Sequence, residues 1–246
     1  FFVPLGPVTN SQNMNMKRMV DTGRYFSIFA PRQSGKTTFQ EHVREELHRD
    51  KTYVVILLSF ERFKNLDKEE FYSEIREALY PQLLKRLRAV NCNKIDEIST
   101  FLDSHQLTSH ISFSKLFREL NRIIEFKKII IFIDEFDGIP LSELENFLAT
   151  LRSLYQDYKR EDQKALYSFG LVGIRNVTKL VIGGVSPFNI ADQVTLPSFS
   201  IDNTRDLYAQ YTAETNQPFT EEAVKAVYEQ TSGQTWLVNR LGTLLT

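Results

Sequence analysis

The stretch Ala30-Pro-Arg-Gln-Ser-Gly-Lys-Thr37 does most to limit what this chain can fold into. It follows a short apolar run, Tyr25-Phe-Ser-Ile-Phe-Ala30, and precedes residues with helical spacing over 36–49. The pattern is G-x-x-x-x-G-K-[ST], with Ala30 in place of the first glycine. A strand, a tight loop and a helix start in that order gather outward-pointing backbone N–H groups, and the helix dipole adds a preference for negative charge. Gly35 lets the backbone come close to a phosphate, Lys36 reaches the β- and γ-phosphates, and the Thr37 hydroxyl sits on magnesium. The candidate nucleotide-binding residues are therefore Pro31, Arg32, Gln33, Ser34, Gly35, Lys36, Thr37 and Thr38. Alanine at position 30 is acceptable if it ends the strand with negative φ and leaves the demanding conformation to Gly35. The Arg32 side chain is expected to point outward, toward a surface or interface role.

A second motif gives this loop a partner. Lys127-Lys-Ile-Ile-Ile-Phe-Ile133 is the strongest strand signal in the chain, and it ends in Asp134 and Glu135. Two adjacent carboxylates at the end of a buried strand are costly unless water or a cation meets them. By itself such an end reads equally well as a solvated terminus. With the strand beside the phosphate-loop strand, Asp134 would face magnesium through water, and Glu135 would take a proton from the attacking water as general base. Thr37 and Asp134 are thus the candidate metal residues. Arg175 follows the apolar run 169–174 on the sheet edge where ligands bind in such folds. It is placed either to stabilise charge at the γ-phosphate or to serve as a structural strand-end arginine. Lys36, Glu135 and Arg175 are the candidate catalytic residues, and Asn176 is a weaker candidate for orienting water.

Strands alternating with helices around these motifs imply an α/β fold. The expectation is a parallel sheet of about five strands, joined by right-handed crossovers and covered by helices on both faces. Further strands are expected at 53–58, 169–174 and within 192–199. A helix is expected over 67–90, capped by Asp67 with Glu70, with Pro81 dividing the stretch or beginning a second helix. Others are expected over 113–125, from a Ser142 and Glu145 cap to about 158, and over 205–215 and 221–231. The first 15 residues read as an irregular arm. The expected division is a core over 1–219, with an arm at 1–20 and a helical insertion over 60–127 between the nucleotide motifs. Residues 220–246 would then begin a helical lid. His42, His48, His105 and His110 lack a ligand pattern, and Trp236 reads as a packing anchor.

Composition removes several alternatives. The 246 residues are 42% hydrophobic and 25% charged, which supports a packed core. A net charge of −1 gives no global footprint of nucleic-acid binding. The single cysteine, Cys92, excludes an intramolecular disulfide and a Cys-based zinc cluster, and fits a cytoplasmic protein. No apolar run approaches the ~20 residues needed to span a bilayer, so no membrane partner is expected. Because the sequence begins with Phe1, the expectation is that it starts inside a longer natural chain.

Taken together, Phe1-Phe2, Gly6-Pro-Val8, Gly23-Arg-Tyr-Phe26, the 30–37 loop, Gly173-Ile-Arg175, Ser186-Pro-Phe-Asn189 and Gly233-Gln-x-Trp-Leu-Val-Asn239 resemble the bacterial AAA-like ATPases. These are P-loop proteins grouped near the signal-transducing and archaeal-type ATPases. The resemblance covers nearly the whole chain. It implies ATP binding, magnesium, and a sheet with an inserted strand between the two nucleotide motifs, and members commonly continue into further C-terminal sequence. Two positions depart from the usual pattern: Asn176 stands where Asp is common after the arginine, and Thr235 where Pro is common before the tryptophan. The leading functional expectation is a magnesium-dependent ATPase. The rival is a slow nucleotide-gated switch or assembly module, with self-association or a partner protein left open. A nucleic-acid remodeller is a third reading, disfavoured by the net charge.

Overall fold

The apolar runs rich in β-branched and aromatic residues become strands, and the amphipathic stretches between them become helices. The computed structural model describes residues 8–124, 127–161, 166–174 and 189–246. In chain order they form α1 (Met16–Asp21), β1 (Tyr25–Phe29), α2 (Lys36–His48), β2 (Tyr53–Ser59), α3 (Lys68–Ala89), α4 (Ile95–Ser104) and α5 (His110–Ile123). Then come β3 (Lys128–Asp134), a 3-10 turn at Phe136–Gly138, α6 (Leu141–Glu161), β4 (Ser168–Gly173), β5 (Asp192–Thr195), α7 (Ile201–Thr215), α8 (Glu221–Thr231) and α9 (Thr235–Leu244).

The sheet order is β2-β3-β4-β1-β5, with every neighbouring pair parallel. Parallel strands need crossovers, so helices cover both faces and the four strands β1 to β4 read as mainly apolar runs, whereas in the edge strand β5 only Val194 is buried. Alternation along the strands divides the core in two. Tyr25, Val54, Ile56, Ile131 and Phe169 join a cluster with α3, α4, α5 and α6. Phe26, Ile28, Val55, Ile130, Phe132 and Val172 join the opposite cluster with α1 and α2.

The sheet order corrects one expectation. β3 does not lie beside β1, because β4 stands between them, as the family resemblance implies. Gly170 makes that insertion tight. The register aligns Phe26, Gly170 and Phe132 across three strands, and the two rings meet at 5.6 Å over the glycine. A Cβ at Gly170 would come within 2.4 Å of Phe26 Cε2.

Two helix expectations are also corrected. Pro81 does not divide α3, which runs unbroken through it. Proline inside a helix costs about 3 kcal/mol, whereas each buried leucine recovers roughly 1.5–3 kcal/mol. Leu79, Leu83 and Leu87 are fully buried around it. Pro81 is exposed, as is Glu77 one turn earlier, so the carbonyl deprived of its donor is on the side that meets water. Ser142 does not cap α6. The helix already begins at Leu141, and the Glu143 N–H donates to the Pro140 carbonyl. Glu143 is buried and accepts from the Tyr72 hydroxyl at 3.1 Å. Within the helical insertion expected over 60–127, α4 is a helix that no separate expectation placed; Ile98 and Leu102 are its buried positions.

Helices α7, α8 and α9 pack around Leu207, Tyr208, Val224, Val227 and Val238, a cluster separate from both sheet faces. Tyr208 donates its hydroxyl to the Val238 carbonyl at 2.7 Å. Gly233 sets the α8–α9 turn with φ +73, and any side chain there would strike the Phe199 carbonyl.

Candidate nucleotide site

The phosphate loop leaves β1 where the Ala30 N–H donates to the Gly173 carbonyl at the end of β4. Ala30 is not among the residues with positive φ, as expected. Gly35 caps α2 with φ +81, and it has no side chain to occupy the free N–H groups of the first turn. Gly35 takes the left-handed conformation expected of it, and Gln33, with φ +59, joins it. Pro31, Arg32 and Gln33 are exposed, Ser34 is partly buried, and Thr38 faces outward on the first turn of α2. Lys36 is only 6% exposed, and its Nζ donates to the carbonyls of Ala30 at 3.1 Å and Pro31 at 2.7 Å. Ser34 Oγ is buried without a partner among the described residues, an orphan that suits a phosphate-binding loop.

The acidic strand end arrives from the far side of β4. Thr37 Oγ1 donates to Asp134 Oδ2 at 2.8 Å, although the two residues are 97 positions apart. The other oxygen, Asp134 Oδ1, accepts from the Glu135 N–H at 2.8 Å. Glu135 has φ +49 and ψ 43, a left-handed conformation that costs a non-glycine residue about 1–2 kcal/mol. Its carbonyl accepts the Gly138 N–H at 2.8 Å. Glu135 lines the same cavity as residues 33–39.

That cavity has a volume of about 450 Å³, within the range of small-molecule sites. Its remaining wall comes from Phe199, Leu207, Thr235, Trp236 and Asn239. Two side chains at the start of α9 reach the loop: Thr235 Oγ1 and Gln234 Nε2 donate to the Gln33 carbonyl at 2.9 and 3.3 Å. Trp236 is 44% exposed, which corrects its reading as a packing anchor; Val238, two residues on, is the one that turns into the helical core. Thr235 opens α9, a position where the family's usual proline would fit without losing a helical hydrogen bond. The threonine here adds the hydroxyl that touches the loop.

Magnesium holds few protein ligands, all oxygen, and takes the rest from phosphate and water. The Thr37 and Asp134 oxygens fit that demand. Among the described residues, no three His, Cys, Asp or Glu side chains gather as a richer metal cluster. No helix among them is long and apolar enough to cross a membrane. Arg175 and Asn176 lie outside the described residues. Sequence reasoning missed Asp137, whose Oδ2 accepts the Ile174 N–H at 2.5 Å; its signal was a third carboxylate in Asp134-Glu-Phe-Asp137. It also missed Gln234, Thr235, Phe199 and Asn239, whose roles depend on packing distant in sequence.

A family profile described as an AAA-like domain matches residues 8–242. Among solved structures, a Walker-type ATPase of Pyrococcus abyssi is similar at TM-score 0.56 and 18% identity, over 96% of this chain and 69% of that one. Cdc6p from Pyrobaculum aerophilum is a looser likeness, at TM-score 0.47 and 11% identity over 82% of this chain and 47% of that one. A search of curated proteins gives no match. The five-stranded parallel sheet with its helices is a P-loop nucleoside triphosphatase fold, and the chain belongs to the AAA-like domain family.

Proposed function

We propose that this domain binds ATP with magnesium between the phosphate loop and α9, and hydrolyses it to ADP and phosphate. The observation that carries the reading is the Thr37–Asp134 hydrogen bond, which joins the two nucleotide motifs at one cavity. The amides of the loop and of the first turn of α2 cradle the phosphates, and Lys36 supplies a positive charge on the β- and γ-phosphates. Thr37 and Asp134 would hold the metal, whose chemistry is to bridge phosphate oxygens and neutralise their developing charge. Glu135 takes the proton of the attacking water as its oxygen bonds to the γ-phosphorus and the bond to the bridging oxygen breaks. Arg175, next in sequence after Ile174, is the proposed source of further positive charge at the γ-phosphate. In this reading residues 1–219 form the catalytic core and 220–246 the start of a helical lid, with α7 packed on the lid side through Leu207 and Tyr208.

Replacing Thr37 by Val or Asp134 by Asn is expected to raise the magnesium concentration needed for half-maximal turnover, measured by phosphate release. An unchanged magnesium requirement in both variants would remove this pair from the metal site.

A second reading, a slow nucleotide-gated switch, draws on the contact of Gln234 and Thr235 with the Gln33 carbonyl. A lid that touches the phosphate loop can transmit the loop's occupancy to a partner. Steady-state turnover of the domain separates the two readings.

A further inference from the structure

We infer that Asp137 is a positioning residue for Glu135, tying the acidic turn after β3 to the end of β4. The inference rests on the ATPase reading of the site. Three observations carry it. First, Asp137 Oδ2 accepts the backbone N–H of Ile174 at 2.5 Å, the residue directly after β4. Second, the approach depends on Gly173, because a Cβ there would stand 2.6 Å from the same oxygen. Third, the turn that Asp137 anchors holds Glu135 in the left-handed region and directs it to the cavity with the phosphate loop.

Such a conformation persists only where the surroundings over-determine it. On the near side, the Glu135 N–H is held by Asp134 Oδ1, and its carbonyl by the Gly138 N–H. Gly138 is itself fixed by close approach to the Phe60 carbonyl, which leaves no room for a side chain. Asp137 supplies the tie across the sheet. β4 also anchors the phosphate loop, because the Gly173 carbonyl accepts the Ala30 N–H. Gly173 and Ile174 therefore bind the loop through one carbonyl and the acidic turn through the next amide. The general base and the phosphate loop are referenced to the one peptide that joins Gly173, the last residue of the inserted strand, to Ile174. That common reference compensates for β1 and β3 not being neighbours.

The test uses Asp137→Ala, Asp137→Asn and Gly173→Ala in the full chain. ATP affinity is measured by calorimetry, turnover by phosphate release, and backbone amide exchange by mass spectrometry. Misplacing a catalytic group by an ångström costs about 10²-fold in rate, so Asp137→Ala is expected to lower kcat by roughly that factor with ATP affinity unchanged. Asp137→Asn keeps an oxygen acceptor for the Ile174 N–H and should recover most of the rate. Gly173→Ala should reproduce the alanine defect, since its methyl group displaces the carboxylate. Parental kcat in Asp137→Ala overturns the inference, as does a joint loss of affinity and kcat that asparagine does not repair. If the parent itself shows no turnover, the ATPase reading fails and the amide exchange decides. Faster exchange at 134–138 and at Ile174 in Asp137→Ala, with α2 unchanged, then upholds the tie; parental exchange there refutes it.

Discussion

Lys36 sits at the base of the phosphate loop with its ammonium against the Ala30 and Pro31 carbonyls. It is the loop's only lysine, so Lys36→Ala is expected to abolish measurable ATP binding at micromolar nucleotide. Undiminished affinity by calorimetry would mean that the loop assignment is wrong. Lys36, Thr37, Asp134 and Glu135 were legible in the sequence because their chemistry and their spacing lie within two continuous motifs. The left-handed Gln33 and Glu135 were not, since each depends on neighbours that restrain its backbone. Asp137 was visible only as an acidic residue. Its meaning needs Gly173, which is adjacent in space through the pairing of β3 with β4. Trp236 was misread because an isolated tryptophan does not show which side of its helix faces the core.

At the scale of elements, periodicity located every strand of the described sheet to within a few residues. It could not supply their order. The placement of β4 between β1 and β3 follows from the fit of Gly170 beneath Phe26 and Phe132, a three-strand row that no single segment reveals. Gly170→Ala should therefore destabilise the fold by about 1–3 kcal/mol, the usual cost of overpacking a tight core. A shift in the denaturation midpoint at constant slope would show it; a parental midpoint would mean that the rings yield freely. α3 illustrates the opposite limit. Proline is a strong local signal, but the burial of Leu79, Leu83 and Leu87 along the helix outweighs it. α4 escaped notice because it is short and lies in a polar stretch, although Ile98 and Leu102 repeat at helical spacing.

At the scale of the whole molecule, two histidines connect stability to pH. Burial, followed by the nearby Arg86 guanidinium, lowers the pKa of His48. Burial also lowers that of His105, and Arg76 adds to the effect. The unfolded chain therefore binds these protons first, near the ordinary histidine value of about 6.5. Stability should be complete above that pH and decline as pH falls below it. It should level off once the folded histidines protonate as well. Denaturant titrations between pH 7 and 5 should show the decline, and the His48→Gln/His105→Gln double variant should lose most of it. A pH-independent parental midpoint in this window would contradict both shifts. The cavity where loop, acidic turn and α9 meet is tested most directly by comparing Glu135→Gln with the parent in one preparation, by ATP binding and phosphate release. Glutamine keeps the shape but cannot take the proton, so ATP binding should be undiminished and turnover lower by roughly 10²-fold or more. Turnover equal to that of the parent would contradict hydrolysis through Glu135.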